Sequence, residues 1–126
     1  MRTTQETTGG IMQVHYLEVV TADVGGACEK YSAATGVAFG KADPGLGGAR
    51  TAPMADGGIM GIRAPMHDGE KAVTRAYLQV DDIAAAVDAV ENAGGMIAVP
   101  PMDIPNHGKC AIFMMDGIEA GLWEVL

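Results

Sequence analysis

The sequence predicts an α+β protein built from two β-α-β-β-β units, and three observations support this prediction. Residues 16–19 (YLEV) recur 61 positions later as residues 77–80 (YLQV). Each copy is followed, in the same order, by aspartate, a helical pattern, glycine and a short apolar segment. Each half also contains an Asp-Gly turn signal between two apolar segments, which is typical of a β-hairpin. Ordered self-similarity of this kind indicates one structural unit used twice.

The first unit, at about residues 13–64, is predicted to contain four strands and one helix. Asp23 is placed to cap the helix, whereas Gly25 and Gly26 in its first turn weaken it by up to ~1 kcal/mol each. The predicted elements are a strand at Val14–Val20, a helix at Val24–Thr35, a strand at Val37–Phe39, a loop at Gly40–Gly48, and a hairpin of Arg50–Met54 with Ile59–Arg63.

The second unit, at about residues 73–126, repeats this order after a turn-rich linker at 65–72. Its helix has the stronger pattern, because Ile83, Ala86, Val87 and Val90 form one apolar stripe. The predicted elements are a strand at Arg75–Val80, a helix at Ile83–Ala93, a strand at Met96–Val99, a loop at Pro100–Gly108, and a hairpin of Cys110–Met115 with Gly121–Leu126.

Composition and charge exclude several classes of function. The 126 residues predict a single domain, with residues 1–10 as a polar tail that lacks the pattern of a signal peptide. A net charge of −8 without a basic cluster argues against binding to nucleic acid or to an anionic membrane surface. No segment approaches the roughly 18 apolar residues of a membrane span. Cys28 and Cys110 fit no metal or redox spacing, so we expect free thiols in a cytoplasmic protein.

Four segments resemble a known superfamily over about Val14 to Leu126. They are residues 18–23 (EVVTAD), 77–82 (YLQVDD), 100–111 (PPMDIPNHGKCA) and 121–124 (GLWE). The set is similar to the vicinal oxygen chelate superfamily of glyoxalases, bleomycin-resistance proteins and extradiol dioxygenases, and in particular to a glyoxalase-like subgroup. The resemblance implies tandem βαβββ modules with curved mixed sheets around a cavity, helices on the opposite faces, and a homodimer. In many members four residues of the cavity bind a divalent metal.

The ligand positions that the resemblance implies hold few metal-binding side chains. They fall at Val14 or Tyr16, at Met60-Gly61, at Arg75 or Tyr77, and at Glu124. Only Glu124 is a usual ligand, whereas a catalytic zinc, iron or nickel site needs about three His, Asp or Glu ligands. We therefore predict no cofactor, and Glu124 is the best candidate if a divalent metal does bind.

Arginine at position 75 suggests a replacement for the metal. One hypothesis is that its guanidinium pairs with Glu18 or Glu124 inside the cavity, because a buried carboxylate requires a partner. The alternative is that Arg75 is solvated at the start of its strand and Glu124 lies at a frayed chain end. The candidate cavity residues are Tyr16, Glu18, Met60, Arg75, Tyr77, His107 and Glu124.

Three functions are compatible with the sequence. The first is a glyoxalase/bleomycin-resistance-like protein that binds a small organic molecule without the metal. The second is a metal-dependent lyase or dioxygenase of the same superfamily, which requires three of His15, Glu18, His107, Glu119 and Glu124 to converge. The third is a dimer that sequesters its ligand without turnover. The superfamily fold supports all three, so the fold alone does not choose between them.

Overall fold

The computed structural model describes residues 10–126, and the predicted tail at 1–10 therefore lies outside the described residues except for Gly10. Over this range the chain forms two consecutive βαβββ modules, which confirms the predicted order. The elements are β1 (Val14–Val20), α1 (Val24–Thr35), β2 (Ala42–Asp43), β3 (Ala49–Pro53), β4 (Ile59–Arg63), β5 (Val73–Gln79), α2 (Ile83–Asn92), β6 (Met96–Ile104), β7 (Gly108–Met115) and β8 (Ile118–Glu124). Among the described residues, no helix has the length and apolar character needed to cross a lipid bilayer.

The eight strands form one curved, mixed, open sheet in the order β2-β3-β4-β1-β5-β8-β7-β6. β1 pairs with β4 in parallel and with β5 in antiparallel orientation, so the two modules meet at the centre of the sheet. In that central pair Tyr16 lies opposite its repeat counterpart Tyr77, and Glu18 lies opposite Arg75. The repeat therefore brings the candidate residues of both modules onto neighbouring strands.

The two faces of the sheet bury different sets of side chains. On the convex face the helices cover two apolar clusters, one around Ile62 and Cys28 and the other around Leu122 and Phe113. On the opposite face Tyr16, Tyr77 and Trp123 form a cluster with Leu46, Ala49 and Cys110. Both cysteines are buried free thiols. Because strand side chains alternate between faces, this division determines which residues can reach the concave side.

The predicted strand at Val37–Phe39 does not form, and this prediction was wrong. Two carbonyls at and just after the end of this segment are bound by a side chain and not by a neighbouring strand. Arg50 donates from Nη2 to the Phe39 carbonyl at 3.3 Å and from Nε to the Gly40 carbonyl at 2.8 Å. The short strand β2 lies a few residues later, inside the segment predicted as a loop.

The loop predicted at Pro100–Gly108 is also shorter than expected, because β6 continues to Ile104. Proline lacks the N–H that a ladder requires and is tolerated mainly in edge strands and at bulges. β6 is an edge strand, and its pairing with β7 is irregular between Ile97 and Met102, where Pro100 and Pro101 lie.

Candidate functional site

A cavity of about 480 Å³ lies on the concave face of the sheet. This volume falls within the range of about 300–1,000 Å³ that is typical of small-molecule sites. Much of the wall is apolar and comes from both modules, with contributions from Leu46, Met66, Val99, Met102, Ile104, Ile112 and Trp123. Four charged side chains of the lining, Glu18, Arg63, Glu70 and Arg75, lie together on the β1, β4 and β5 side of the cavity, and a fifth, Asp103, lies on β6.

Glu18 is the central charged group, and its side chain contacts both arginines. Its carboxylate accepts a hydrogen bond from Arg75 Nη1 through one oxygen and from Arg63 Nε, at 2.8 Å, through the other. Only 6% of Glu18 is exposed, and both arginines are buried as well. The hypothesis that Arg75 pairs with Glu18 is confirmed, and the pair lies where β1 and β5 meet.

Two further carboxylates complete this group, which we call the Arg–Glu cluster (Glu18, Arg63, Glu70, Arg75 and Glu119). Glu70 receives two parallel hydrogen bonds from Arg63 Nη1 and Nη2, at 2.8 and 2.6 Å, and a third from the Met66 N–H at 2.8 Å. Glu119 receives Arg75 Nε at 2.7 Å. Each guanidinium is therefore bound by two carboxylates.

Glu70 gives the cluster a predicted pH dependence. The hydrogen bonds from Arg63, together with that from the Met66 N–H, lower the pKa of Glu70 from 4.5 to about 2. The unfolded chain then binds a proton before the folded chain does, so this stabilisation is present above about pH 4.5 and is lost as the pH falls toward 2. We expect the free energy of unfolding of Glu70→Gln to fall less steeply than that of the wild type as the pH drops below about 4.5, as measured by urea denaturation. Glu91→Gln, an exposed control on α2, should keep the wild-type slope, and identical slopes in all three proteins would contradict the prediction.

The tyrosines at the centre of the sheet differ in their hydrogen bonding. Their rings and that of Trp123 pack with centroids 5.4–5.6 Å apart. Tyr77 donates its hydroxyl to Glu18 at 3.1 Å, whereas the Tyr16 hydroxyl has no partner among the described residues although Tyr16 is only 2% exposed. Burial raises the pKa of both phenols, so both stay protonated at neutral pH. Tyr16 is one of the residues that line the cavity, and the described residues leave the hydrogen-bonding capacity of its buried hydroxyl unused.

His107 lies beside the cavity rather than among its lining residues. Its Nε2 is 2.9 Å from the Asp43 carboxylate, and its carbonyl accepts the Trp123 indole N–H at 2.9 Å. Asp43 precedes the 3₁₀ turn Pro44–Leu46, which lines the cavity. The His107–Asp43 contact therefore joins the loop between β6 and β7 to the end of β2, next to the cavity.

Two sequence candidates lie on the helix-covered face, which corrects their expected position in the cavity. Met60 packs against the cluster around Ile62 and Cys28. Glu124 accepts the Ile83 N–H at 2.9 Å and so binds the first turn of α2. Because side chains alternate along β4, the strand that places Met60 on the helix-covered face places Gly61 and Arg63 on the cavity face. The sequence analysis considered Met60 and Gly61 but not Arg63, which lies two residues after Gly61 and therefore on the same face.

The residues present do not fit a divalent metal. Among the described residues, no group of three or more His, Cys, Asp or Glu side chains is arranged to hold one. The five residues that the metal-dependent alternative requires are dispersed: Glu18 and Glu119 bind Arg75, His107 contacts Asp43, the His15 ring packs against Trp123, and Glu124 lies on the other face. The positive charge beside Glu18 comes from the guanidinium groups of Arg63 and Arg75.

This architecture, with tandem βαβββ modules in a sheet curved around a cavity, is the vicinal oxygen chelate fold. In solved structures the fold is shared with hypothetical protein BH1468 of Bacillus halodurans (TM-score 0.72, 11% identity, covering 91% of this chain and 95% of that one). It is also shared with methylmalonyl-CoA epimerase of Mycobacterium tuberculosis (TM-score 0.67, 14% identity, 90% and 87% coverage).

Part of the chain is also similar in sequence to a curated protein. Over 87 residues the chain is 33% identical to the protein named "Putative glyoxylase CFP32" of Mycobacterium bovis, a stretch that covers 64% of this chain. The matched stretch covers 33% of that relative, so the chain corresponds to about a third of its length. No family model matches the chain. The fold and this partial sequence similarity agree with the resemblance to the vicinal oxygen chelate superfamily.

Proposed function

We propose that this protein binds a small organic molecule in the concave cavity and that it does so without a divalent metal. The observation that supports binding most directly is the buried hydroxyl of Tyr16, which has no hydrogen-bond partner among residues 10–126. Leaving a buried polar group without a hydrogen bond costs about 1–3 kcal/mol. A ligand atom that bonds this hydroxyl recovers that cost, while the apolar walls provide contact area for the rest of the molecule.

The groups that line the cavity favour binding over chemical turnover. Glu18, the buried carboxylate of the lining, already accepts hydrogen bonds from Arg63, Arg75 and Tyr77, which occupies it as a general base. Burial raises the pKa of the Cys110 thiol to about 11, so little nucleophilic thiolate is present at neutral pH. A homodimer that sequesters its ligand is therefore the second candidate, and homodimer formation stays a prediction from the resemblance.

The decisive variant is Tyr16→Phe, which removes the hydroxyl and keeps the ring. A set of uncharged bicyclic fragments is first screened by ligand-observed NMR, and the dissociation constant of the best binder is then measured by calorimetry. We expect Tyr16→Phe to weaken this binder by about 3- to 10-fold, the equivalent of one neutral hydrogen bond. The free variant should be at least as stable as the wild type, because the unpartnered hydroxyl is gone.

Tyr31→Phe is the matched control, since Tyr31 is exposed on α1 and should leave the affinity unchanged. The same titration in excess EDTA should give the wild-type affinity if no metal takes part. A library without binders, or a binder that is indifferent to Tyr16→Phe, would contradict binding in this cavity. An affinity that EDTA abolishes and Zn²⁺ or Ni²⁺ restores would contradict the metal-free part alone.

A further inference from the structure

The charge balance of the cavity points to a class of ligand. Resting on the proposed function, we infer that the site selects an uncharged molecule, and that Glu70 sets this selection by occupying Arg63 from within the chain. Glu70 lies between β4 and β5, outside the strands, yet its carboxylate reaches into the cavity wall. Glu70, in the segment that connects β4 to β5, therefore accepts the hydrogen bonds of Arg63, which lies on β4.

The contact between Glu70 and Arg63 has the geometry that a ligand carboxylate would adopt. The two nitrogens Nη1 and Nη2 face the two oxygens of Glu70 at 2.8 and 2.6 Å. Such parallel pairs are the strong, specific mode by which arginine recognises carboxylates. The third nitrogen, Nε, is taken by Glu18 at 2.8 Å. Arg63 therefore has no edge left for a carboxylate that enters with a ligand.

Arg75 is satisfied in the same way, by Glu18 through Nη1 and by Glu119 through Nε and Nη2. The Arg–Glu cluster holds two positive and three negative groups, so it has no positive charge to spare. An anionic ligand would have to displace an internal carboxylate or be buried unpaired, and both are unfavourable. A cation finds Glu18 and Glu70 already paired, and the remaining acidic side chain of the lining, Asp103, is exposed and can offer only a weak, water-screened contact. An uncharged ligand avoids both costs.

Three shape-matched probes test the inference: 2-naphthamide, 2-naphthoate and 2-(aminomethyl)naphthalene, which are neutral, anionic and cationic at pH 7.5. We expect the wild-type protein to bind the amide at least about tenfold more tightly than either charged probe. Glu70→Gln keeps the shape of the side chain but lets a ligand carboxylate compete for Arg63. In that variant we expect naphthoate to come within about threefold of the amide or to exceed it.

Glu91→Gln is the control, because it removes the same charge from the exposed surface of α2 and should preserve the wild-type order. If Glu70→Gln does not fold, Glu70→Asp withdraws the carboxylate from Arg63 by one methylene and serves in its place. A wild-type preference for naphthoate or the amine would overturn the inference while leaving cavity binding intact. An unchanged ranking in the Glu70 variant would remove the role of Glu70. Failure of all three probes to bind either protein would overturn the proposed function together with the inference.

Discussion

Glu18→Ala should lower the free energy of unfolding by about 3–5 kcal/mol, the range for removing one partner from a buried ion pair. The expected loss is large because Glu18 is 6% exposed and contacts two buried arginines at once. Without it, each guanidinium keeps only its more peripheral carboxylate, and Tyr77 loses its hydrogen-bond acceptor. Urea denaturation followed by circular dichroism measures the change.

Glu29→Ala is the matched control for this experiment, since Glu29 is exposed on α1 and should change stability by no more than about 0.5 kcal/mol. A double-mutant cycle with Arg75→Met separates the pair from its surroundings, because a direct interaction gives a coupling energy of about 0.5–3 kcal/mol. A loss of less than about 1 kcal/mol for Glu18→Ala, with no coupling to Arg75, would mean that the cluster is solvated and contributes little to folding.

The fold, and the positions of some candidate residues, could be predicted for the same physical reason. The repeat and the two hairpin signals are local patterns, and they determine the order of elements directly. The Arg75–Glu18 pair could also be predicted, because alternation places both side chains on the face that carries the tyrosines. Glu70 could not, since it lies in a segment without periodicity and reaches Arg63 only through the folded path of the chain.

The misplaced candidates show how sensitive a site is to strand register. In β4 a shift by one residue exchanges Met60 for Gly61 and would move every side chain to the opposite face. In β8 the same alternation sends Glu119 and Trp123 toward the concave face and Glu124 toward α2. Motif matching by residue type alone favoured Glu124, because it does not determine which face of a strand a residue occupies.

The repeat also shows which features belong to the fold and which to the site. Tyr16 lies over Gly61, and its repeat counterpart Tyr77 lies over Gly121, so both modules use the same tyrosine-on-glycine arrangement. The position that corresponds to Arg75, 61 residues earlier, is Val14, which cannot form an ion pair. Features present in both modules therefore build the sheet, whereas those present in only one module give the cavity its charges.

Gly121→Ala tests the shared arrangement and should destabilise the protein by about 3 kcal/mol, at the upper end for overpacking a core. A Cβ at this position would overlap the Tyr77 ring, with Cγ at 2.5 Å and Cε2 at 2.6 Å. The ring has little room to retreat, because it packs against Tyr16 and Trp123 with centroids 5.6 and 5.5 Å away. Thermal unfolding measures the loss, and near-ultraviolet circular dichroism reports the displaced aromatic rings.

Gly25→Ala is the control, because we expect it to raise the free energy of unfolding where Gly121→Ala lowers it. Gly25 lies in the first turn of α1, and an added Cβ there meets no atom within 4 Å. The change should therefore stabilise the protein by up to about 1 kcal/mol through helix propensity and a less flexible unfolded chain. If Gly121→Ala were as stable as the wild type and its near-ultraviolet spectrum unchanged, Tyr77 would not be held against the sheet. The stacked tyrosines could then not be the rigid base on which a ligand is bound.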